Sequence, residues 1–525
     1  VIGYAIVTGI LICAHELWRD EAQAWLIARD SPGILELLRM GGYEGSPMLW
    51  HLLIMPFAKL GLPFISMQLV NWVLAIATAY LFLSNAPFSF KSRLLFLFGY
   101  FMAYEYSGLA RSYMLFVFIL FLSATYYRRR FQQPYRYAVI VAFLAQATLF
   151  GTITASALWV AYCFECLYGG LPRRSWRSLA GCLVIIGIGI VFAIAQMIPP
   201  ADLNGNLQRW YIDGSRVWVV LSAAAGAFFP IPIPRPHFWN SNIFFNSGIE
   251  YLYRANTSET MGTFFLNSLQ LSMFALSITA YPLSLMILRK MARIPFFVYC
   301  GTSFLTLLLF AFKYYAGIRH GGIVFMLFVF SLWIATHSLP SPLLSSSRLS
   351  FNKYSFRIDH IIIVFFAIQV SATPIAYRYE LALPFSAAQS VGNFLVSRSY
   401  DGEDTFIATY PATYSTPVLL AVSRDRKQFY SLEDNEDRSY MRWNRVDARE
   451  SSDRKLSVVE VIMRFERGFE RGRFRRGILI LQDDQKVDAS QDFFKSFRLL
   501  DCFGQGYTIS DETYCVYDYI PTKRK

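Results

Sequence analysis

Apolar runs at about 1–15, 64–84, 94–104, 112–127, 136–150, 153–168, 179–198, 262–288, 294–312, 321–338 and 358–376 confine this chain to one architecture. In lipid a segment must satisfy its own backbone polar groups, so spans of this kind are helices. Several runs fall short of the roughly 20 residues that cross a bilayer, and their edges must borrow from flanking sequence. Composition agrees: 55% of residues are hydrophobic and only 16% charged, a balance that belongs to integral membrane proteins. The net charge of +13 is no nucleic-acid footprint, because the excess sits in short clusters between apolar runs.

Those clusters set the orientation. Lys91/Arg93, Arg128–Arg130 with Arg136, Arg173/Arg174/Arg177, Arg289/Lys290/Arg293 and Arg348/Lys353/Arg357 contain no acid and are expected inside. Every second loop then faces out: the first outer loop 16–63, the turn Glu105–Arg111, the link near Gly151, the long loop 199–261, the turn Lys313–Gly322, and the chain after about 377. Met48–Leu60 is apolar but too short to cross, and is expected to lie at the outer interface. The expectation is a polytopic α-helical membrane protein of about eleven spans, amino end inside and carboxyl end outside. The chain opens at Val1 within an apolar stretch, so residues are expected to precede it.

After about Leu381 the pattern changes. Apolar bursts (Thr405–Ala408, Gly477–Leu481) alternate with charged helix-like stretches such as Ser457–Arg467. The chain therefore divides into a membrane domain, 1–378, and an extracytoplasmic α/β domain, 379–525. Cys502 and Cys515 fall in the exported part, where a disulfide is permitted; Cys13, Cys163, Cys166, Cys182 and Cys300 lie in membrane runs. The basic stretch Arg464–Arg476 is by default a solvated face, with anionic glycan or lipid headgroups as its functional alternative.

Ionisable groups gather at the outer face. Asp20, Glu21 and Glu44 lie in the first outer loop, within an amphipathic run that follows His15. Glu105, Arg111 and Tyr113 lie at the second outer turn, and Lys313, Arg319 and His320 at a later one. Carboxylates can accept a proton and guanidinium groups can grip a phosphate with two prongs, so together these loops can build one polar cavity. Each group also has a plain structural reading. Glu105 and Arg111 can pair across their turn, and Arg319 and His320 can anchor a helix end in the headgroups.

The order of Asp20-Glu21, Ala24-x-x-x-Ala28-Arg29-Asp30-Ser31, Gly42-Tyr43-Glu44-Gly45-Ser46-Pro47-Met48-Leu49-Trp50-His51, Glu105-x5-Arg111-Ser112-Tyr113 and Arg319-His320-Gly321-Gly322 resembles the GT-C membrane glycosyltransferases. More narrowly, it resembles their bacterial branch related to protein O-mannosyltransferases and the aminoarabinose lipid A transferase. The resemblance covers about 1–340. It implies a sugar donor carried on a polyprenyl phosphate, Asp20 as catalytic base with Glu21 beside it, and Arg111, Arg319, Lys313 and His320 around the lipid phosphate. Relatives often carry Asp-Gly-His-Pro-Pro where this chain has Glu44-Gly45-Ser46-Pro47-Met48. A divalent cation held by Asp20, Glu21 or Glu44 is thus left open, and no other cofactor is implied.

The expected reaction moves a sugar to an acceptor hydroxyl of a glycan, lipid or protein at the outer face of a bacterial cytoplasmic membrane. A single base without a covalent nucleophile favours inversion. No phosphate-cradling Gly-rich loop and no zinc spacing is present, which favours a lipid-linked over a nucleotide-linked donor. Met48–Leu60 and Val217–Phe229 are candidate lids over the lipid tail. The alternative from another class is a flippase for a lipid-linked sugar, which would show internal repeats and midplane charge.

Overall fold

The structure, a computed structural model, describes all residues except 169–175, 204–209, 211–213, 215, 245–260, 315, 338–347, 352–353, 423–427, 445–455, 483–490, 505–511 and 522–525. Arg173, Arg174, Lys353 and parts of the loop 199–261 therefore lie outside the described residues.

The chain is mostly helical. Among the described residues, seven helices are long and apolar enough to cross a membrane: Ile65–Asn85, Leu149–Tyr168, Trp176–Gln196, Leu271–Met291, Arg293–Phe312, Ile318–Thr336 and Ile358–Ala382. Ile318–Thr336 is buried along nearly its whole length, as expected of a helix that is apolar all round. An aromatic cluster surrounds it, in which Phe82 stacks on Phe96 at 4.3 Å and meets Trp333 edge-on at 5.7 Å.

Four other apolar runs form shorter or broken helices. Ile2–Ala14 has 13 residues, Ser112–Tyr127 has 16 and Pro134–Ala147 has 14. The run read as 94–104 is interrupted: Phe90–Leu97 ends before a π-helical turn, Phe101–Glu105, and a last turn, Tyr106–Gly108. At this break lies Gly99, where a Cβ would stand 2.9 Å from the Cβ of Gln369. The backbone comes that close to Ile358–Ala382 only without a side chain. Met48–Leu60 forms the helix Leu49–Lys59. Arg216–Phe228 differs from the lid expectation: its residues Ala223–Phe228 are buried, packed on the central helix.

That packing depends on Gly321, whose added Cβ would lie 2.6 Å from the Ala223 carbonyl oxygen. A backbone atom cannot swing away as a side chain can. Gly321→Ala is expected to cost about 1–3 kcal/mol, read as a lowered melting midpoint in detergent.

The carboxyl-terminal part carries a six-stranded sheet. Its strands are β3 (Thr405–Tyr410), β4 (Phe429–Ser431), β5 (Glu436–Arg438), β6 (Arg476–Gln482), β7 (Phe497–Phe503) and β8 (Tyr514–Tyr519), after a separate hairpin of β1 (Arg348–Phe351) and β2 (Tyr354–Arg357). Their order is β5-β4-β3-β6-β8-β7, with β3 parallel to β4 and β6 and the remaining pairs antiparallel. Alternation along the central strands sorts the two faces. Ile407, Ile478, Ile480 and Val516 join Leu17, Ala22, Leu26, Ile27, Leu37 and Met40 of the segment 16–63 in one core. Phe406, Ala408, Tyr410, Leu479 and Leu481 pack on the helix Val458–Arg471 in another. That helix starts with a capping box between Ser457 and Glu460. Two of its arginines serve the fold: Arg464 donates to the Leu432 and Glu433 carbonyls, and Arg471 to that of Asn435. Cys502 and Cys515 pair across β7 and β8 and form a disulfide.

Candidate functional site

After the helix Ile2–Ala14 the chain passes His15 and turns into a helix, Arg19–Asp30, whose first turn holds Asp20 and Glu21 near its positive end. This helix is not amphipathic in its setting, since every residue from Glu21 to Ala28 is buried. Its polar ties run to the carboxyl-terminal domain. Gln23 donates to the Met441 carbonyl at 2.7 Å and accepts from its N–H at 3.0 Å, and the Arg19 N–H donates to Glu512 at 2.9 Å.

Asp20 sits under three guanidinium groups. Arg319 Nη2 donates to Asp20 Oδ2 at 2.9 Å, with Arg111 Nη1 at 3.9 Å from the same oxygen and Arg19 Nε at 3.6 Å from Oδ1. Arg111 Nη1 also donates to the Asp20 backbone carbonyl. Burial pushes the carboxyl up, but Arg111, Arg319 and Arg19 outweigh it and hold Asp20 well below the usual carboxylate range. The side chain remains about a quarter exposed, at 24%. Segments far apart in the chain thus meet at a solvent-reached spot.

Arg319 is clamped on several sides. Its guanidinium carbon lies 5.0 Å from the Trp18 ring centroid and 5.3 Å from that of Trp239. Its carbonyl accepts from the Tyr106 hydroxyl at 2.7 Å. Nη1 is buried without a hydrogen-bond partner among the described residues. The next residue, His320, accepts the Gly317 N–H at Nδ1 (2.9 Å), so its Nε2 carries the hydrogen; this atom too is buried and unpartnered. Tyr113, stacked on Tyr106, and Tyr314 meet the His320 ring edge-on at 6.0 and 4.8 Å.

The other candidates take different places. Glu105 does not pair with Arg111; its carboxylate accepts from Tyr100 at 2.9 Å and from the Trp239 indole at 3.2 Å, and so supports one wall beside Arg319. Glu44 accepts from Gln23 at 3.0 Å and Trp443 at 3.2 Å, and burial raises its carboxyl. Lys313 lies 5.7 Å from the Trp210 ring centroid.

Glu21, adjacent to Asp20 in sequence, is fully buried with both oxygens occupied. Oε1 accepts the Ala110 N–H at 2.5 Å, and Oε2 lies 3.1 Å from His15 Nε2. His15 Nδ1 lies 2.7 Å from Glu380, which also accepts from Tyr104 at 2.8 Å. Burial alone would lower His15; the Glu21 and Glu380 carboxylates reverse this and hold it at about 10. The imidazolium ties the first loop to the turn before Arg111 and to the helix Ile358–Ala382. Sequence reasoning passed over His15 and Glu380. A charge at the end of an apolar run, in Arg378-Tyr379-Glu380, was the available signal.

A divalent cation does not suit these residues. Among the described residues no three His, Cys, Asp or Glu side chains gather to hold one, and Asp20, Glu21 and Glu44 are each engaged by protein groups. No family model, curated protein or solved structure matches this chain.

Proposed function

We propose that the protein is a GT-C-type glycosyltransferase of a bacterial cytoplasmic membrane, moving a sugar from a polyprenyl phosphate to an acceptor hydroxyl at the outer face. In this topology the four shorter or broken apolar segments also cross, giving eleven spans with the carboxyl-terminal domain outside. The observation that carries the reading is the meeting of Asp20 with Arg111 and Arg319, at 3.9 and 2.9 Å, from three separate outer segments.

The chemistry follows from which partner is weak. The departing phosphate is already a weak base, with a second pKa near 6, and needs its growing charge stabilised more than it needs a proton. Arg319 and Arg111 supply that stabilisation. The acceptor hydroxyl is barely ionised at neutral pH and needs a base. Asp20 takes its proton as the oxygen bonds to the anomeric carbon and the phosphate leaves with the former bonding pair. One carboxylate acting as base inverts that carbon. Glu21 is a positioning residue, since its oxygens are spent on His15 and Ala110.

The test uses membrane vesicles enriched in the protein and supplied with polyprenyl phosphate bearing a radiolabelled hexose. Label is expected to pass to a hydroxyl-bearing envelope acceptor as free polyprenyl phosphate accumulates. A donor that changes leaflet with its glycosidic bond intact would establish the flippase instead.

A further inference from the structure

Asp20, as it stands, is a poor base. Its Oδ2 is held by Arg319 at 2.9 Å and its Oδ1 faces Arg19 at 3.6 Å, so a hydroxyl arriving alone meets a carboxylate already neutralised by guanidinium groups. The same arginine still has capacity. Arg319 Nη1 and its neighbour His320 Nε2 are buried donors without acceptors among the described residues. Leaving two such donors unsatisfied costs stability unless an acceptor arrives to use them. The phosphate diester of a lipid-linked donor presents two free oxygens in the geometry a guanidinium fork accepts, so it can occupy Arg319 in place of a carboxylate.

We infer that Asp20 is the resident counter-ion of Arg319, and that the phosphate of the lipid-linked donor displaces it, freeing the carboxylate to serve as base only when the donor is in place. The inference rests on the glycosyl-transfer reading above. The exchange makes and breaks ion pairs and hydrogen bonds only. Its geometry permits a small movement: the Arg319 backbone is pinned by the Tyr106 hydroxyl, and the guanidinium lies beside the Trp18 and Trp239 rings. The Asp20 side chain, about a quarter exposed, has open space on one side into which it can turn. Donor therefore binds before acceptor, and the order is built into the charge pairing.

The distinguishing consequence is that one substitution moves binding and catalysis in opposite directions. With the full chain in lipid nanodiscs, Asp20→Asn is expected to bind radiolabelled polyprenyl phosphate about three- to tenfold tighter than the unsubstituted protein, because the competing carboxylate is gone. Arg319→Gln is expected to bind it at least about tenfold more weakly. His320→Phe weakens binding and His320→Gln, which restores a side-chain N–H, recovers it. A second measurement needs no variant: labelling of Asp20 by a water-soluble carbodiimide, read by peptide mass spectrometry, rises when polyprenyl phosphate is added. Unchanged Asp20→Asn affinity with unchanged labelling, in a protein that does bind the lipid phosphate, overturns the displacement and leaves the transfer reading standing. Inorganic phosphate raising the labelling where polyprenyl phosphate does not overturns the lipid donor as the displacing ligand. A protein that binds neither phosphate overturns the displacement and the transfer reading together.

Discussion

Asp20→Asn is expected to lower sugar transfer by about 10²- to 10⁴-fold, the usual contribution of a positioned general base. The amide keeps the shape and can still accept from Arg319, so the loss isolates the proton rather than the packing. The loss belongs in the chemical step: single-turnover rates with saturating donor should fall while the donor concentration giving half-maximal rate stays level or drops. Stability changes little by comparison. The folded-state carboxyl lies below its ordinary value, so its pairing stabilises the fold above the unfolded pKa of 3.8 and that contribution is lost on acidification. The pair is partly exposed, and water screens most of what it contributes at neutral pH. A melting curve near that of the unsubstituted protein, beside absent transfer, is the expected pair of results. Full transfer by Asp20→Asn would remove Asp20 from the chemistry.

The meeting of Asp20 and Arg319 was legible because it needs only parity. Charge clusters fix which loops share a face, and loops on one face of a compact bundle can touch whatever their separation in sequence. The sheet was legible for a similar reason: Thr405–Ala408 and Gly477–Leu481 are apolar throughout, as strands buried on both faces must be. Other features depend on contacts that no local pattern encodes. The close approach of Gln369 to Gly99 is one, and the burial of the helix Arg19–Asp30 against the carboxyl-terminal domain, through Met441 and Glu512, is another. Glu21 shows the limit most plainly. Its neighbour Asp20 faces the guanidinium groups, yet one helical step of about 100° turns Glu21 to His15, and nothing in the sequence says which carboxylate takes which side.

Glu21→Gln is expected to destabilise the protein by about 1–3 kcal/mol, because it removes a buried charge-assisted hydrogen bond to His15 while Glu380 still balances the imidazolium. His15 and Glu21 are 1% and 0% exposed, so solvent does not screen the loss. The pH dependence carries the signature. His15 is raised from 6.5 to about 10 in the folded protein, with Glu21 and Glu380 on its two nitrogens and the Phe385 ring edge-on at 4.5 Å. A raised folded-state value stabilises fully below about pH 6.5, and that stabilisation is lost as pH rises through 10. The melting midpoint in detergent should therefore decline across this alkaline window. In Glu21→Gln one of the two carboxylates that raise His15 is gone, so the decline starts from a lower midpoint and is centred at lower pH. His15→Gln removes the titrating group and flattens this part of the profile. Glu21 also accepts the Ala110 N–H, next to Arg111, so its loss loosens the turn that delivers Arg111 to Asp20. Transfer by Glu21→Gln should accordingly fall less than in Asp20→Asn, with the donor requirement raised rather than lowered. That opposite sign separates the carboxylate that positions the site from the one that acts in it.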